Sequence, residues 1–522
     1  MAIDLPPNEI IDGPPPAAYQ GASGEVLTLR DESRDHHYRV HGHERNDDRG
    51  AIRKALQAGE DPAAALLELA RRKGLVNVRV ARIDRGATTE LWLIAEGLSG
   101  LAAPDPLRPY FEKFVGDGPI RLSRFERSRR LAELHARRTG FATLSAYDGE
   151  GPRPTMRIKV RDQRDSNWDY QAWLGNTGNR YLGRWFSSLG AAHVASNSRR
   201  IGGTVTTALT ALGDNDTDAS YGKLAVFIDR VRPWGVLRWD ASYGEARYDD
   251  NGAGRRLSLQ ELIGPQPRNR ARYIDTQLGG EHFIGFTRSW SWSLRESIGA
   301  SDYQRERVEP EQGTIAEERY YHAAVGLSGR WNPAEADGDP ILFVDGGFRQ
   351  GLDADKLSED AETGFRILQG GLGGAINLGG LGRVMAEYRG QYAFNALPEG
   401  EEFVLGGIDR MNAWLPGVVV GDIGFLARAQ WRAPQMTFGR VALEPLLAYE
   451  HGQTEYVRRG ESGRDIAVLA DAAVGFDAAL KGSAWQLKLR GAKPVRSQGR
   501  DPELFERLRS DFFVQLSRPF GG

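Results

Sequence analysis

From about residue 165 to the C-terminus, apolar and polar residues alternate with a period of two. In 236-VLRWDASY-243, Leu237, Trp239, Ala241 and Tyr243 share one face, opposite Arg238, Asp240 and Ser242. In 485-WQLKLR-490, Trp485, Leu487 and Leu489 oppose Gln486, Lys488 and Arg490. Such a period puts successive side chains on opposite faces of an extended strand, so each strand has one apolar and one wet face. A soluble sandwich satisfies that pattern too. Three features favour a membrane barrel instead: bulky charges on the wet faces strand after strand, Trp and Tyr near the ends of the dry faces, and connections that alternate between short and long. The 358 residues from 165 to 522 hold about sixteen strands at roughly 22 residues per strand and connection. No repeat of 20 to 50 residues marks a propeller.

Composition agrees with that class. Mean hydropathy is −0.48, because lipid-facing apolar and lumen-facing polar residues cancel in such barrels. No apolar run long enough for a transmembrane helix occurs. The chain has no cysteine, which excludes disulfides, thiolate metal sites and cysteine nucleophiles and suits an oxidising envelope compartment. Its 68 basic and 70 acidic residues nearly cancel, giving no electrostatic reason to expect a nucleic-acid partner. The N-terminus lacks the basic-then-apolar pattern of a signal peptide and reads as a mature form carrying an added Met1.

Before residue 165 the period changes. Helical spacing appears in "DPAAALLELARRKG" and "LSRFERSRRLAELHARRTG", each closing on basic residues and glycine. Each leads into a strand pair, "LVNVRVARID" with "TTELWLIAEG" and "FATLSAYDG" with "PTMRIKVRD". The expected organisation is a flexible Pro-rich leader over 1–36, α+β modules over 37–98 and 99–164, and a barrel over 165–522. The polar stretches 249–256 and 300–319 are expected as connections, and the glycine-rich 369–382 as barrel strand and turn.

Two α+β modules ahead of such a barrel resemble the outer-membrane transporters of two-partner secretion, the haemolysin-activator and filamentous-haemagglutinin exporter type. The modules resemble polypeptide-transport-associated (POTRA) domains, the first opening with 38-YRVHG-42. The segment 176-NTGNRYLGRWFSSLGAAH-193 is similar to the family's barrel entry, and the C-terminal "DFFVQLSRPFGG" resembles an outer-membrane assembly signal. In that family a lumen-folded loop carries V-R-G-Y/F, followed by G-D-x-G. The counterpart here is 405-LGGIDRMNAWLPGVVVGDIG-424, a pore loop in which Gly421, Asp422 and Gly424 open the next strand. The register places Met411, Asn412, Ala413 and Trp414 on V-R-G-Y, so Asn412 stands where the family has arginine. The family's wall motif F-x-D-x-G falls on 448-AYEHG-452, with Glu450 for the aspartate and Gly452 for the glycine. The resemblance implies that Arg410 with Glu450 replaces the usual arginine–aspartate contact, since two residues along an extended chain return to one face.

The resemblance also implies a function. The chain is expected to be a non-enzymatic monomeric pore of type V secretion, without cofactor or metal. It would pass an unfolded partner protein, the secreted exoprotein, from periplasm to cell surface, with outer-membrane lipid and lipopolysaccharide around it. Cargo would engage the POTRA modules, chiefly the second, by strand addition. An assembly and insertion factor of the same superfamily, an exporter of a lipid or peptide, and a passive porin are the alternatives. The histidine cluster 36-HHYRVHGH-43 is read as exposed histidines rather than a metal site.

Overall fold

The computed structural model describes residues 3–13, 26–31, 35–41, 46–116, 118–148, 153–162, 166–179, 182, 184–209, 219–249, 268–287, 289–309, 312–331, 342–356, 361–362, 364–457, 465–499 and 502–520. The prolines at 14–16, Gly42, His43, residues 250–256 and three residues of the entry motif, Arg180, Tyr181 and Gly183, fall outside them.

The alternating region closes into an antiparallel barrel of sixteen long strands among the described residues. They are β1 Trp168–Gly175, β2 Phe186–Val194, β3 Arg199–Ala208, β4 Ser220–Arg232, β5 Gly235–Asp249, β6 Arg268–Phe286, β7 Trp290–Glu309 and β8 Gly313–Trp331. There follow β9 Leu342–Lys356, β10 Arg366–Asn377, β11 Arg383–Ala393, β12 Ile423–Arg432, β13 Val441–Tyr456, β14 Asp465–Leu480, β15 Gln486–Gln498 and β16 Phe512–Arg518. A three-residue run, Met436–Phe438, adds to β13 beside the end of β12. β1 and β16 close the ring over four paired positions, Ala172–Gly175 against Gln515–Arg518. The Asn176 side chain reinforces this join, accepting from Val514 N–H at 2.6 Å and donating to the Phe512 carbonyl at 3.1 Å.

The outward face is apolar. Leu189, Val205, Leu224, Tyr243 and Ile274 are successive cross-strand partners on β2 to β6, and all are exposed. Ile201, Ile228, Trp239, Leu278 and Ile298 form a second exposed row on β3 to β7. A contiguous apolar surface of this kind is what a wall turned to lipid requires. Residues one position away in sequence turn inward and are small, polar or charged, as in the Arg200–Asp229 pair at 2.7 Å. No helix among the described residues is long and apolar enough to cross a membrane.

Two expectations need correction. The stretch 300–319 is not a connection: β7 runs to Glu309 and β8 begins at Gly313. Its lack of an apolar period conceals strands held by cross-strand pairing and by contacts such as Arg319 to Asp302 at 2.7 Å. The described part of the leader is not free either. Glu9–Asp12 lies parallel to Arg79–Arg82, and Leu27–Asp31 pairs with His36–His41.

The first module is thus a five-stranded sheet, with Val78–Arg85 and Thr88–Ala95 central, covered by helices Asn46–Gln57 and Pro62–Arg72. Asp61 caps the second of these helices by accepting from Ala63 N–H. The second module has a sheet of Gly100–Ala102, Thr155–Asp162 and Phe141–Asp148, with helix Leu122–Arg138 laid on it. Its core of Tyr110, Phe111, Phe125, Leu131 and Met156 runs without a break onto Val231, Val236 and Phe283 of the barrel. Arg138 pairs with Asp229, and the Arg130 guanidinium sits 4.8 Å from the Phe286 ring. The modules therefore sit at the barrel end that carries the tight β2–β3, β4–β5 and β6–β7 turns. The first strand is Trp168–Gly175, ahead of the entry motif, and Phe186–Val194 follows it.

Candidate functional site

The connection from β11 to β12, residues 394–422, leaves the end opposite the modules. It does not extend outward. A short ribbon, Phe403–Leu405 with Val419–Gly421, leads it back along the inner wall, and Leu405, Met411, Asn412, Ala413 and Trp414 are buried against Leu426, Leu446, Leu469, Ala473 and Phe513. The glycines explain how so tight a return is possible. Gly406 adopts φ +106°, and a Cβ there would lie 2.1 Å from the Leu415 carbonyl oxygen. Gly424 and Gly452, the motif glycines on β12 and β13, leave room for the Phe403 ring and the Leu405 side chain.

The tip is held by a cluster of charges on the wall. Arg428 of β12, Glu450 of β13 and Asp471 of β14 are direct cross-strand partners, forming one inward row. One Glu450 carboxylate oxygen accepts from Met411 N–H at 2.9 Å, Asn412 N–H at 3.0 Å and the Asn412 amide at 2.6 Å. Asp471 accepts from Ala413 N–H at 2.7 Å. Three consecutive backbone donors of the loop thus end on two wall carboxylates. Arg428 faces the other Glu450 oxygen at 3.3 Å.

A second contact has the opposite polarity. Asp409, at φ +62°, turns its carboxylate onto Arg428 at 2.9 Å, Lys488 at 2.7 Å and Arg490 at 3.4 Å. Arg490 is fully buried and also meets Asp477 at 2.6 Å. Asp422 fixes the neck, accepting from Leu397 N–H at 2.9 Å and Val457 N–H at 2.7 Å. Backbone bonds complete the hold: Leu415 N–H donates to the Leu508 carbonyl, and Ser510 N–H to that of Ala413.

The structure thus brings Asn412, Trp414, Gly421, Asp422, Gly424, Glu450 and Gly452 into one site. Arg410 is the exception and corrects the sequence expectation. It is exposed, and Glu450 is occupied by Met411, Asn412 and Arg428 instead. The two-residue return to one face fails because Met411, at φ +85°, breaks the extended backbone. Sequence reasoning missed Asp409, Arg428, Asp471, Lys488 and Arg490. Asp471 gave a signal, a lone acid in the apolar run 466-IAVLADAAVGF-476. The others look like ordinary lumen charges.

No family model matches the sequence, and no curated protein matches it. Solved structures do match by shape. CdiB from Escherichia coli superposes with a TM-score of 0.74 at 10% identity, over 97% of this chain and 92% of that one. CdiB from Acinetobacter baumannii gives 0.67 at 13% identity, over 98% and 89%. At such identities the likeness establishes architecture: this chain has the CdiB fold, the POTRA-plus-barrel arrangement anticipated from its sequence.

Proposed function

We propose that the protein is an outer-membrane pore that exports an unfolded partner protein from the periplasm to the cell surface. It acts as a monomer and without catalysis, with its two modules in the periplasm. The observation that carries this reading is the loop 394–422, folded into the lumen and held there by side-chain packing and polar contacts with the wall rather than as a strand of the barrel. A lumen obstruction fixed in this way can be released without dismantling the wall. At the other end, a cavity of about 1150 Å³ lies between helix Leu122–Arg138 and the inner wall, lined by Arg129, Arg130 and Arg137 on the helix and by Arg295, Arg330 and Asp345 on the strands. It offers an extended chain a way from the modules into the barrel.

Deleting the gene and comparing culture supernatants tests the reading. One secreted protein should vanish from the medium and return with the wild-type gene. Loss of many outer-membrane proteins from the membrane, with the supernatant unchanged, would make the chain an assembly factor instead.

A further inference from the structure

The second module carries an open sheet edge. Its strand order leaves Phe141–Asp148 outermost, beside helix Leu122–Arg138. The groove between that strand and the helix is filled by the start of the chain. Ile3 is fully buried in the second module's core. Four backbone groups of two adjacent residues are all met by side chains lining the groove. Ile3 N–H donates to a Glu133 carboxylate oxygen at 3.0 Å, and Asp4 N–H to the Ser145 hydroxyl at 2.8 Å. The Ile3 carbonyl accepts from Arg129 at 3.2 Å, and the Asp4 carbonyl from the Tyr147 hydroxyl at 2.7 Å. Burial, with the Asp4 carboxylate adding, pushes the Tyr147 phenol well above its ordinary value, so it remains a donor.

Such a site reads peptide backbone rather than sequence. It presents two acceptors and two donors to an extended dipeptide and asks only for an aliphatic side chain in the pocket that Ile3 fills. From there the segment runs to the first module, where Asn8 accepts from Val78 N–H at 2.7 Å and Glu9–Asp12 pairs with the sheet. A few residues thus tie both modules together while occupying the groove.

We propose that this groove is an extended-peptide site whose resident occupant is the chain's own segment 3–8, so that a cargo segment enters it only by displacing Ile3 and Asp4. The inference rests on the exporter reading for the identity of the visitor, but the competition itself does not. Because the segment is tethered at Asn8 to Asp12, it competes at an effective concentration on the order of millimolar. Release also removes one tie between the modules, leaving the pairing of Leu75–Val76 with Ile120–Arg121 and the Arg153–Glu96 contact to hold them.

The test uses the full-length protein in detergent and a fluorescein-labelled peptide of sequence Ile-Asp-Leu-Pro-Pro-Asn, read by fluorescence anisotropy. Ile3→Asp removes the resident anchor and should tighten peptide binding by about tenfold relative to wild type, as expected when a tethered competitor is lost. Adding Ser145→Val to Ile3→Asp should abolish that gain, since one backbone acceptor in the groove is gone. Hydrogen exchange of the wild type should show the Ile3 and Asp4 amides protected. Equal binding to wild type and Ile3→Asp, no binding to either, a gain that survives Ser145→Val, or unprotected Ile3 and Asp4 amides would each overturn the proposal. These assays need no secretion, so their failure leaves the exporter reading standing, and a silent supernatant experiment leaves them unaffected.

Discussion

Asp409 shows how much of this site depends on single charges. Its carboxylate is turned to the wall, where Arg428, Lys488 and Arg490 converge on it. Truncating one member of a buried charged cluster leaves the others uncompensated, at about 3–5 kcal/mol. Asp409 is 23% exposed, so Asp409→Ala should cost near the lower end of that range. In single-channel recordings it should lengthen and multiply the open states. Asn412→Ala should act in the same direction but more weakly, because the Met411 and Asn412 backbone donors still reach Glu450; losing one hydrogen bond to a charged group costs about 1.5–3 kcal/mol. Arg410→Ala should leave the recordings as in wild type, since that side chain is exposed. The family resemblance places Asn412 and Glu450 on the two motifs, yet the sequence reading gives Glu450 to Arg410, because the positive φ at Met411 that turns Asn412 onto the wall leaves no mark in the pattern. The Asp409 contact was not legible either. Its partners come from β12 and β15, which β13 and β14 separate in the sheet, so only the folded loop brings them to one carboxylate.

At the scale of elements, the loop and the docking helix each rest on a few side chains. Trp414 is the largest buried side chain of the loop, and Trp414→Ala should cost about 3–5 kcal/mol of loop packing. It should be seen as faster protease cleavage between residues 394 and 422 with the barrel intact. Helix Leu122–Arg138 carries His135, which pairs with the Tyr110 hydroxyl at 3.0 Å and the Ser196 carbonyl at 3.3 Å of the β2–β3 turn. Burial, aided by the Arg230 and Arg138 guanidiniums and opposed by the Ser196 contact, holds the imidazole below its ordinary value, so the docked ring is neutral. Its contribution to docking is complete above the ordinary histidine value of about 6.5 and is lost as pH falls below it toward the lowered value, because only the released ring takes up the proton. Proteolysis of the modules should therefore speed up between pH 7 and pH 5, and His135→Phe should flatten that profile. Helices Pro62–Arg72 and Leu122–Arg138 were plain in the sequence because their apolar spacing spans several turns. The four-residue strand Glu9–Asp12 was not, because its place depends on a parallel neighbour some seventy positions away.

For the whole molecule, the decisive property is that the apolar side of each strand faces out. Leu189 is 67% exposed in the row that continues through Val205 and Leu224. Leu189→Arg would place a charge in hydrocarbon, at about 2–4 kcal/mol near the midplane. It should lower the urea midpoint of the lipid-reconstituted protein, whereas a protein that kept this face in water would tolerate the change. This architecture was legible because the same binary pattern recurs in strand after strand, so misreading 300–319, where it lapses, left the rest standing.

The ring is joined where Asn176 grips Val514, two residues 338 positions apart in the chain, and the shared ladder there is only four pairs long, against thirteen between β4 and β5. Few local contacts draw such distant ends together, so this join should form last when the protein folds and part first under mechanical pull. A chain with Asn176→Ala should accumulate as an unclosed, lipid-bound sheet before it matures, and the delay should grow in thicker bilayers, where a hydrogen-bonding edge left open is hardest to accommodate.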